Sequence, residues 1–247
     1  MTVPIHVVPH VACDPVPGDG GVPLDLPDDV VVFYTIARWD PRKAPWLAIR
    51  AYLAAFTRDD PVALVVKTTP VPYAAPLGKW GIGTPLYGTI LLEVTRLVRE
   101  HTRPPHIRVE VEDVGAERIA GLHTRGDCYV SLTHGEGWGM GEFDASAYGN
   151  PVVTTGWGGQ LSYLDPESAW LVDYELVPVR HDWPLSYSPD QRWAAPSITH
   201  AAALLHEIAD DLASARERAA RLRERVLRQY APRAVAKQAV SALHPWL

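Results

Sequence analysis

The sequence predicts an α/β fold with a doubly wound parallel sheet, and three observations support that class. Short runs of apolar, β-branched residues alternate with longer segments whose apolar residues recur at steps of three and four. The strand-like runs, such as VVVFYTI at 30–36, are continuously apolar, as in a sheet with helices on both faces. A glycine-rich turn joins one such run to a helix, and this alternation of strands and helices is typical of parallel sheets.

Composition and charge limit the kinds of partner. The 247 residues are 47% hydrophobic and 21% charged, which suffices for one substantial core. A net charge of -6 gives no overall electrostatic reason to expect nucleic acid or an anionic membrane as a partner. No run approaches the ~18 consecutive apolar residues of a membrane span, and the start of the chain lacks a signal-peptide pattern. We therefore expect a cytoplasmic protein in which Cys13 and Cys128 are structural thiols.

The chain is expected to contain a lead-in and one domain. Residues 1–29 are rich in proline, glycine and aspartate after a short apolar piece at 5–8, so they predict a linker or an edge segment. Residues 30–247 are expected to form a single domain that ends in long C-terminal helices.

Apolar periodicity gives the order of the elements. Strands are predicted at 30–36, 61–67, 107–111, 128–132, around 152–153, at 169–172 and at 176–179. Helices are predicted at 46–56, 87–101, 115–126, after the glycine-rich turn, at 161–164, as one long helix at 198–230 and, beyond Pro232, at 234–243. Residues 68–83 contain prolines and glycines without periodicity, which predicts a long loop.

The stretch from 127 to 159 is predicted to hold the functional site. After its first strand it has glycines at 135, 137, 139 and 141, then a short helix, then a second strand. Glycines let the backbone pass close to a ligand, and the start of the helix presents its positive end. This arrangement suits an anion, most simply a phosphate.

Two carboxylates in the same stretch suit a different chemical group. Glu136 lies in the turn and Asp144 lies on the helix, and both could face one crevice. Carboxylates bind sugar hydroxyls better than they bind phosphate oxygens. A site with amides for a diphosphate and carboxylates for hydroxyls describes a nucleotide sugar.

A basic loop follows the first strand of the domain. Arg38, Arg42 and Lys43 come directly after the run at 30–36, at the sheet edge where α/β proteins bind ligands. These cations are candidates for a phosphate site. The alternative is that they are solvated loop charges.

The segment HGEGWGMGEFDASAYGNPVV at 134–153 resembles the Glu-x7-Glu region of retaining glycosyltransferases of family 4, which have the GT-B fold. Asp144 stands where the family usually has the second glutamate. The resemblance extends from about His10 to the C-terminus. It implies a Rossmann-like domain, the C-terminal, donor-binding half of a GT-B fold.

The basic loop is similar to a second signature of that family, Gly-Arg-x4-Lys. Arg38 and Lys43 fall at its spacing, and Ala37 replaces the usual glycine. The resemblance implies that these two cations neutralise the donor diphosphate. Arg42 has no counterpart in the signature, so we expect it to be a surface charge.

The resemblance also implies a mechanism and its residues. The chain would transfer a glycosyl group from a nucleoside diphosphate sugar with retention, without a metal or another cofactor, and the sequence has no Asp-x-Asp metal motif. Glu136 would hold the sugar hydroxyls and Asp144 the ribose hydroxyls. The expected catalytic residues are Glu136, Arg38 and Lys43, and the expected donor-binding residues add Gly137, Trp138, Gly139, Met140 and Asp144.

Two tryptophans near the turn have two interpretations. Trp138 and Trp157 could form walls of the donor pocket, or they could be packed in the core or at its rim. Their spacing does not decide between these roles.

The resemblance leaves the acceptor side of the enzyme open. A GT-B enzyme binds its acceptor with an N-terminal domain of similar size, which residues 1–29 cannot form. A partner polypeptide or self-association could supply that domain, or the chain could be a fragment. A third possibility is a non-catalytic nucleotide-sugar-binding or regulatory module. An exposed apolar face at 5–8 or along the last helix would indicate a missing partner.

Overall fold

The computed structural model describes residues 5–12, 15, 26–27, 29–70, 89–179, 188 and 190–243. Its centre is a six-stranded parallel sheet in the order β3-β2-β1-β4-β5-β6. The strands are β1 Val31–Ile36, β2 Val62–Lys67, β3 His106–Glu110, β4 Cys128–Ser131, β5 Val152–Thr155 and β6 Trp170–Val172. The predicted α/β class and the parallel sheet are confirmed.

Helices cover both faces of this sheet, which is why its strands are continuously apolar. Every residue of β2 is buried. On β1, Phe33 belongs to one core cluster and the adjacent Tyr34 to the other. The helices are α1 Pro45–Ala55, α2 Thr89–Arg99, α3 Ala116–Arg125, α4 Met140–Tyr148, α5 Ile198–Asp210, α6 Leu212–Gln229 and α7 Pro232–Leu243.

The prediction of one long helix at 198–230 is wrong, because the chain bends at Asp211. The Asp211 backbone is not helical (φ -139, ψ 69), and its side chain accepts a hydrogen bond from Ser214 N at the start of α6. Aspartate is a favoured residue for such a cap. The bend lets α5 pack on α1, on one face of the sheet, and α6 pack on α4, on the other. The apolar residues of the segment at 198–230 therefore pack into two separate cores.

An antiparallel hairpin extends beyond the main sheet. Its strands are β7 Tyr174–Pro178 and β8 Arg192–Pro196. A strand was predicted at 176–179, but β8 was not, because its sequence RWAAP has no β-branched residue. The residues between the strands, 180–187 and 189, lie outside the described part of the chain.

Two of the sequence predictions concern residues that lie largely outside the described ranges. The loop at 68–83 lies mostly within residues 71–88, and most of the lead-in at 1–29 is likewise not described. The described residues of the lead-in have no helix or strand, and Ala12 N donates to Tyr230 O at 2.8 Å, beyond the end of α6. Over the ranges that are described, no helix is both long and apolar enough to cross a lipid bilayer.

Candidate functional site

The candidate site lies where the strand order reverses. β1 and β4 are neighbours in the sheet, so the loops that follow them meet at its carboxyl edge, the usual ligand position in this type of fold. The two loops are hydrogen-bonded to each other. Arg42 O accepts from His134 N at 2.8 Å and from Thr133 Oγ1 at 3.1 Å. The predicted basic loop and glycine-rich turn are thus brought together.

Glu136 forms the electrostatic centre of the site. Its Oε1 lies 2.7 Å from Lys43 Nζ, and its Oε2 lies 3.3 Å from Arg42 NH1. The Glu136 side chain is only 5% exposed, against 24% for Lys43. A carboxylate this buried needs nearby positive charge to offset its lost hydration. The two cations supply that charge.

The prediction that Arg42 is a surface charge is wrong. Its NH1 also donates to Gly135 O at 2.6 Å, so Arg42 joins the basic loop to both the backbone and the side chain of the turn. Only Arg38 and Lys43 fall at the spacing of the Gly-Arg-x4-Lys signature, so Arg42 was not predicted as a site residue. Three cations within six positions were the available signal for a shared anionic partner.

Asp40 shapes the basic loop, and sequence analysis did not single it out. Its side chain is 7% exposed, and its Oδ1 accepts from Lys43 N at 2.8 Å. Ala44 follows in the left-handed region with φ 41 and begins the turn into α1. Arg38 is half-exposed, with Nε 4.0 Å from Asp40 Oδ2. The loop is therefore held by a buried carboxylate that places Lys43 towards the turn.

The glycine-rich turn ends at a helix start that has no side-chain cap. Gly139 precedes α4 with φ 80, a conformation that favours glycine, and as a glycine it has no side chain that could cap the first amides of the helix. Met140 is 44% exposed at this end. Uncapped amides at a helix N-terminus can bind an anion, as the sequence predicts.

The loop at 156–160 locks the turn in place. Gly159 N donates to Glu136 O at 2.7 Å. A Cβ atom on Gly159 would overlap the Gly137 carbonyl, and one on Gly158 would lie 3.0 Å from Glu136 N. Side chains at these positions would therefore push the two loops apart.

A second carboxyl group lies behind the turn and was missed in the sequence. Glu142 is 1% exposed, and Thr154 Oγ1 lies 3.5 Å from its Oε1. Burial raises the pKa of Glu142, nearby Glu136 raises it further, and Lys43 opposes the shift. Glu142 therefore retains a proton more readily than an exposed glutamate. The sequence signal for Glu142 was an acidic residue on the buried face of a short helix.

A cleft of about 520 Å³ opens beside Glu136, within the ~300–1,000 Å³ range of small-molecule sites. One wall comes from the loops described above and the other from the hairpin side. The lining residues are Arg42, His134, Gly135, Glu136, Gly137, Trp157, Gly158, Val179, Gln191, Arg192 and Trp193. The cleft thus combines aromatic surfaces, cations and one carboxylate.

Of the eight predicted donor-binding residues, Glu136 and Gly137 line this cleft. The other six lie outside its lining: Arg38, Lys43, Trp138, Gly139, Met140 and Asp144. Trp138 packs among aromatic rings, with centroids 5.3 Å from Phe143 and 5.2 Å from Tyr163, whereas Trp157 lines the cleft. Asp144 is partly buried on α4, and burial raises its pKa to about 6, opposed by the charge of His10. The donor contacts of all eight residues stay predictions.

The arrangement contains no recognisable metal centre. Within the residues that the structure describes, no group of three or more His, Cys, Asp or Glu side chains is placed to hold an ion. Cys128 is buried on β4 as a free thiol.

Comparison with solved structures defines the class of fold. No protein-family model matches the chain, and no curated protein is significantly similar to it. Sucrose-phosphate synthase from Thermosynechococcus elongatus superposes with a TM-score of 0.67 at 20% identity, over 97% of this chain and 52% of that one. The chain has the Rossmann-like α/β fold of one half of a GT-B glycosyltransferase.

Two further solved structures are similar to this chain. HepE from Anabaena, solved in complex with UDP and glucose, matches with a TM-score of 0.62 at 14% identity, over 88% of this chain and 49% of HepE. The C-terminal domain of LpcC, a group 1 glycosyl transferase from Francisella tularensis, has a TM-score of 0.60 at 17% identity, over 82% of this chain and 87% of that domain. The chain thus spans about half of the first two proteins and most of an isolated C-terminal domain.

Proposed function

We propose that this chain is the donor-binding half of a retaining glycosyltransferase of the family-4 type, which transfers a sugar from a nucleoside diphosphate sugar. The observation that carries the proposal is the Lys43 and Glu136 pair at 2.7 Å, beside an uncapped helix N-terminus at the reversal point of the sheet. This pairing offers a cation for phosphate and a carboxylate for hydroxyls in one place. Support also comes from HepE, which was solved with UDP and glucose.

The proposed catalytic contribution is stabilisation of the diphosphate leaving group. Lys43, Arg38 and the backbone amides near Gly139 and Met140 would meet the negative charge that develops as the sugar leaves. Donors held in advance at such a position act without having to reorganise during the reaction. No metal or other cofactor is needed in this proposal.

The proposed carboxylate roles follow the two ends of the donor. Glu136 would hold the hydroxyls of the transferred sugar, and Asp144 the hydroxyls of the ribose. Gly137 and Trp138 would complete the donor site, Gly137 by letting the backbone approach. Arg42 joins this set because it shares Glu136 with Lys43.

The acceptor domain would come from a partner polypeptide, from self-association or from further sequence. Exposed apolar side chains at two places support such an interface. Ile5 is 90% and Val7 81% exposed in the lead-in, and Val240 and Leu243 on α7 are 60% and 57% exposed. Those are the positions at which sequence analysis expected a missing partner to show.

A second candidate function is a non-catalytic nucleotide-sugar-binding or regulatory module. It requires only a binding site, which Lys43, Arg42 and Glu136 beside the cleft can provide. Both functions require donor binding, and only the first requires cleavage of the bond between sugar and phosphate.

Calorimetric titration with UDP, GDP, ADP and dTDP and their sugar conjugates tests the proposal, followed by a donor-hydrolysis assay. We expect one nucleotide series to bind, with slow hydrolysis of its sugar conjugate, and binding to be lost in Lys43→Ala. Arg103→Ala is the matched control, because Arg103 pairs with Asp59 in an exposed position away from the cleft. Binding without hydrolysis would favour the module, and absence of all binding would contradict both functions.

A further inference from the structure

His134 is the residue that joins the two walls of the cleft. Its backbone N–H donates to Arg42 O at 2.8 Å, and its carbonyl accepts from Ala194 N of β8 at 3.0 Å. The hairpin is thereby attached to the loop that carries Glu136. His134 itself lines the cleft and is partly buried.

The hydrogen bonds of the His134 ring determine its tautomer. Nδ1 lies 2.5 Å from Ala194 O, and a carbonyl oxygen only accepts, so the proton is on Nδ1. Burial lowers the pKa of His134, and the bond to Ala194 opposes that shift. The ring is therefore neutral at pH 7, with a lone pair on Nε2.

The environment leaves that lone pair for a ligand. Trp193 stacks on the imidazole, with ring centroids 4.3 Å apart and planes at 12°, and so fixes the orientation of the ring. Within the described ranges, no hydrogen bond joins Nε2 to another residue. Nε2 is also not among the fully buried polar atoms that lack a partner. Since His134 lines the cleft, Nε2 is an acceptor accessible from it.

His134 Nε2 and the Glu136 carboxylate suit a hydroxyl better than a phosphate. A neutral imidazole nitrogen and the Glu136 carboxylate both accept hydrogen bonds, and an ionised diphosphate has no hydrogen to donate. A sugar hydroxyl can donate to either group. Trp157 and Trp193 add apolar ring surfaces beside these acceptors, against which the C–H face of a pyranose can pack.

We propose that His134 is a specificity-determining residue that accepts a hydrogen bond from one hydroxyl of the transferred sugar. The inference rests on the proposed function and extends it, because it places sugar selection at the junction of the hairpin and the turn. Trp193 is then a positioning residue, which acts through the orientation of the imidazole. The Lys43 side of the site recognises the diphosphate that all donors share.

The test compares free nucleotides with nucleotide sugars in two matched variants. UDP, GDP, ADP and dTDP and their glucose or mannose conjugates are titrated calorimetrically into wild type, His134→Asn and His134→Gln. Asparagine can keep the donor that bonds Ala194 O but loses the Nε2 acceptor, whereas glutamine can place an acceptor near the Nε2 position. We expect free-nucleotide affinity within about twofold in all three, and about a tenfold loss of sugar-conjugate affinity in His134→Asn only.

Donors that lack single hydroxyls make the test independent of the folding of any one variant. Wild type should lose about tenfold in affinity for one such deoxy donor. His134→Asn should lose nothing further with that donor, as expected for two changes that remove one contact. If His134→Asn fails to fold, full wild-type affinity for every deoxy donor overturns the inference.

Failure of the role proposed for His134 can be distinguished from failure of the proposed function. Equal loss of free nucleotide and sugar conjugate in His134→Asn would assign His134 a structural role and overturn the inference, with the proposed function intact. A wild-type chain that binds no nucleotide and no nucleotide sugar would overturn the proposed function and the inference together.

Discussion

The two walls of the cleft are built in different ways. The wall of turn and basic loop follows central strands, and it is fixed by an ion-paired carboxylate with 5% exposure and by close glycine contacts. The hairpin wall is a separate two-stranded sheet, joined to the turn through His134. The first wall can serve chemistry common to all donors, and the second can vary without disturbing the core. The predictions below test that division.

The largest effect is expected from the ion pair of the first wall. Lys43→Ala and Glu136→Ala should each reduce transfer, or donor hydrolysis, by about 10²–10³-fold, because each removes a charged group that the proposed mechanism assigns to the reacting centre. The measurement is the turnover rate, with circular dichroism to verify folding. Near-normal turnover in either variant would remove that residue from the mechanism.

A smaller but still large effect is expected at the contact between the loops. Gly159→Ala places a Cβ atom on the Gly137 carbonyl, so the turn must move, and we expect donor binding to weaken by at least about tenfold and stability to fall by about 1–3 kcal/mol. Gly115→Ala is the control, because a Cβ atom there meets nothing within 4 Å. Calorimetry and thermal unfolding measure both effects, and unchanged binding in Gly159→Ala would show that the turn tolerates displacement.

A pH-dependent effect is expected at Asp144, outside both walls. Its pKa of about 6 means that the carboxylate form, which would accept from ribose hydroxyls, is lost as the pH falls below 6. Nucleotide affinity should therefore decline by up to tenfold per pH unit below that value. Asp144→Asn should bind more weakly at pH 8 and lose this pH dependence. A variant with the wild-type pH profile would exclude the ribose contact.

Asp144 should also affect stability, with a defined sign. The folded-state pKa, about 6, lies above the ordinary value of 3.8, so the unfolded chain releases its proton first as the pH rises. The stabilising contribution is complete below pH 4 and is lost between about pH 4 and pH 6. Asp144→Asn should therefore raise the unfolding temperature at pH 8 relative to wild type, and a lowered one would contradict the assignment.

The smallest effect on function is expected at the bend between α5 and α6. Asp211→Ala removes the side-chain acceptor for Ser214 N and should cost about 1 kcal/mol of stability. Donor affinity should stay within about twofold, because neither wall of the cleft contains this residue. Denaturant unfolding combined with calorimetry tests this, and a large loss of affinity would show that the walls depend on the C-terminal helices.

Local pattern was sufficient to predict the strands of the sheet. Continuous apolar runs located β1, β2 and β4, since a strand buried on two faces leaves little alternative. Lys43 was predicted in the site through the resemblance of its loop to Gly-Arg-x4-Lys, and Glu136 through its place in the glycine-rich turn. The structure brings the two side chains into contact.

The other features depend on contacts between distant parts of the chain. β8 has no β-branched residue. It is held by its partner strand and by His134, which is 60 residues away from Ala194 in sequence. Arg42 is one of several loop cations until the fold places Glu136 beside it. The bend at Asp211 arises because consecutive helices pack on opposite faces, which a single apolar stripe does not reveal.

The glycine contact between the two loops has a consequence for the thermodynamics of binding. Gly159 N is bonded to Glu136 O, and Gly158 and Gly159 lie too close to the backbone of the turn to carry side chains. The segments at 135–139 and 156–160 should therefore behave as one unit before any ligand binds. Donor binding should therefore reduce the conformational entropy of the backbone only slightly. The heat-capacity change on binding should accordingly follow the apolar surface of the donor and the cleft, without a contribution from loop folding.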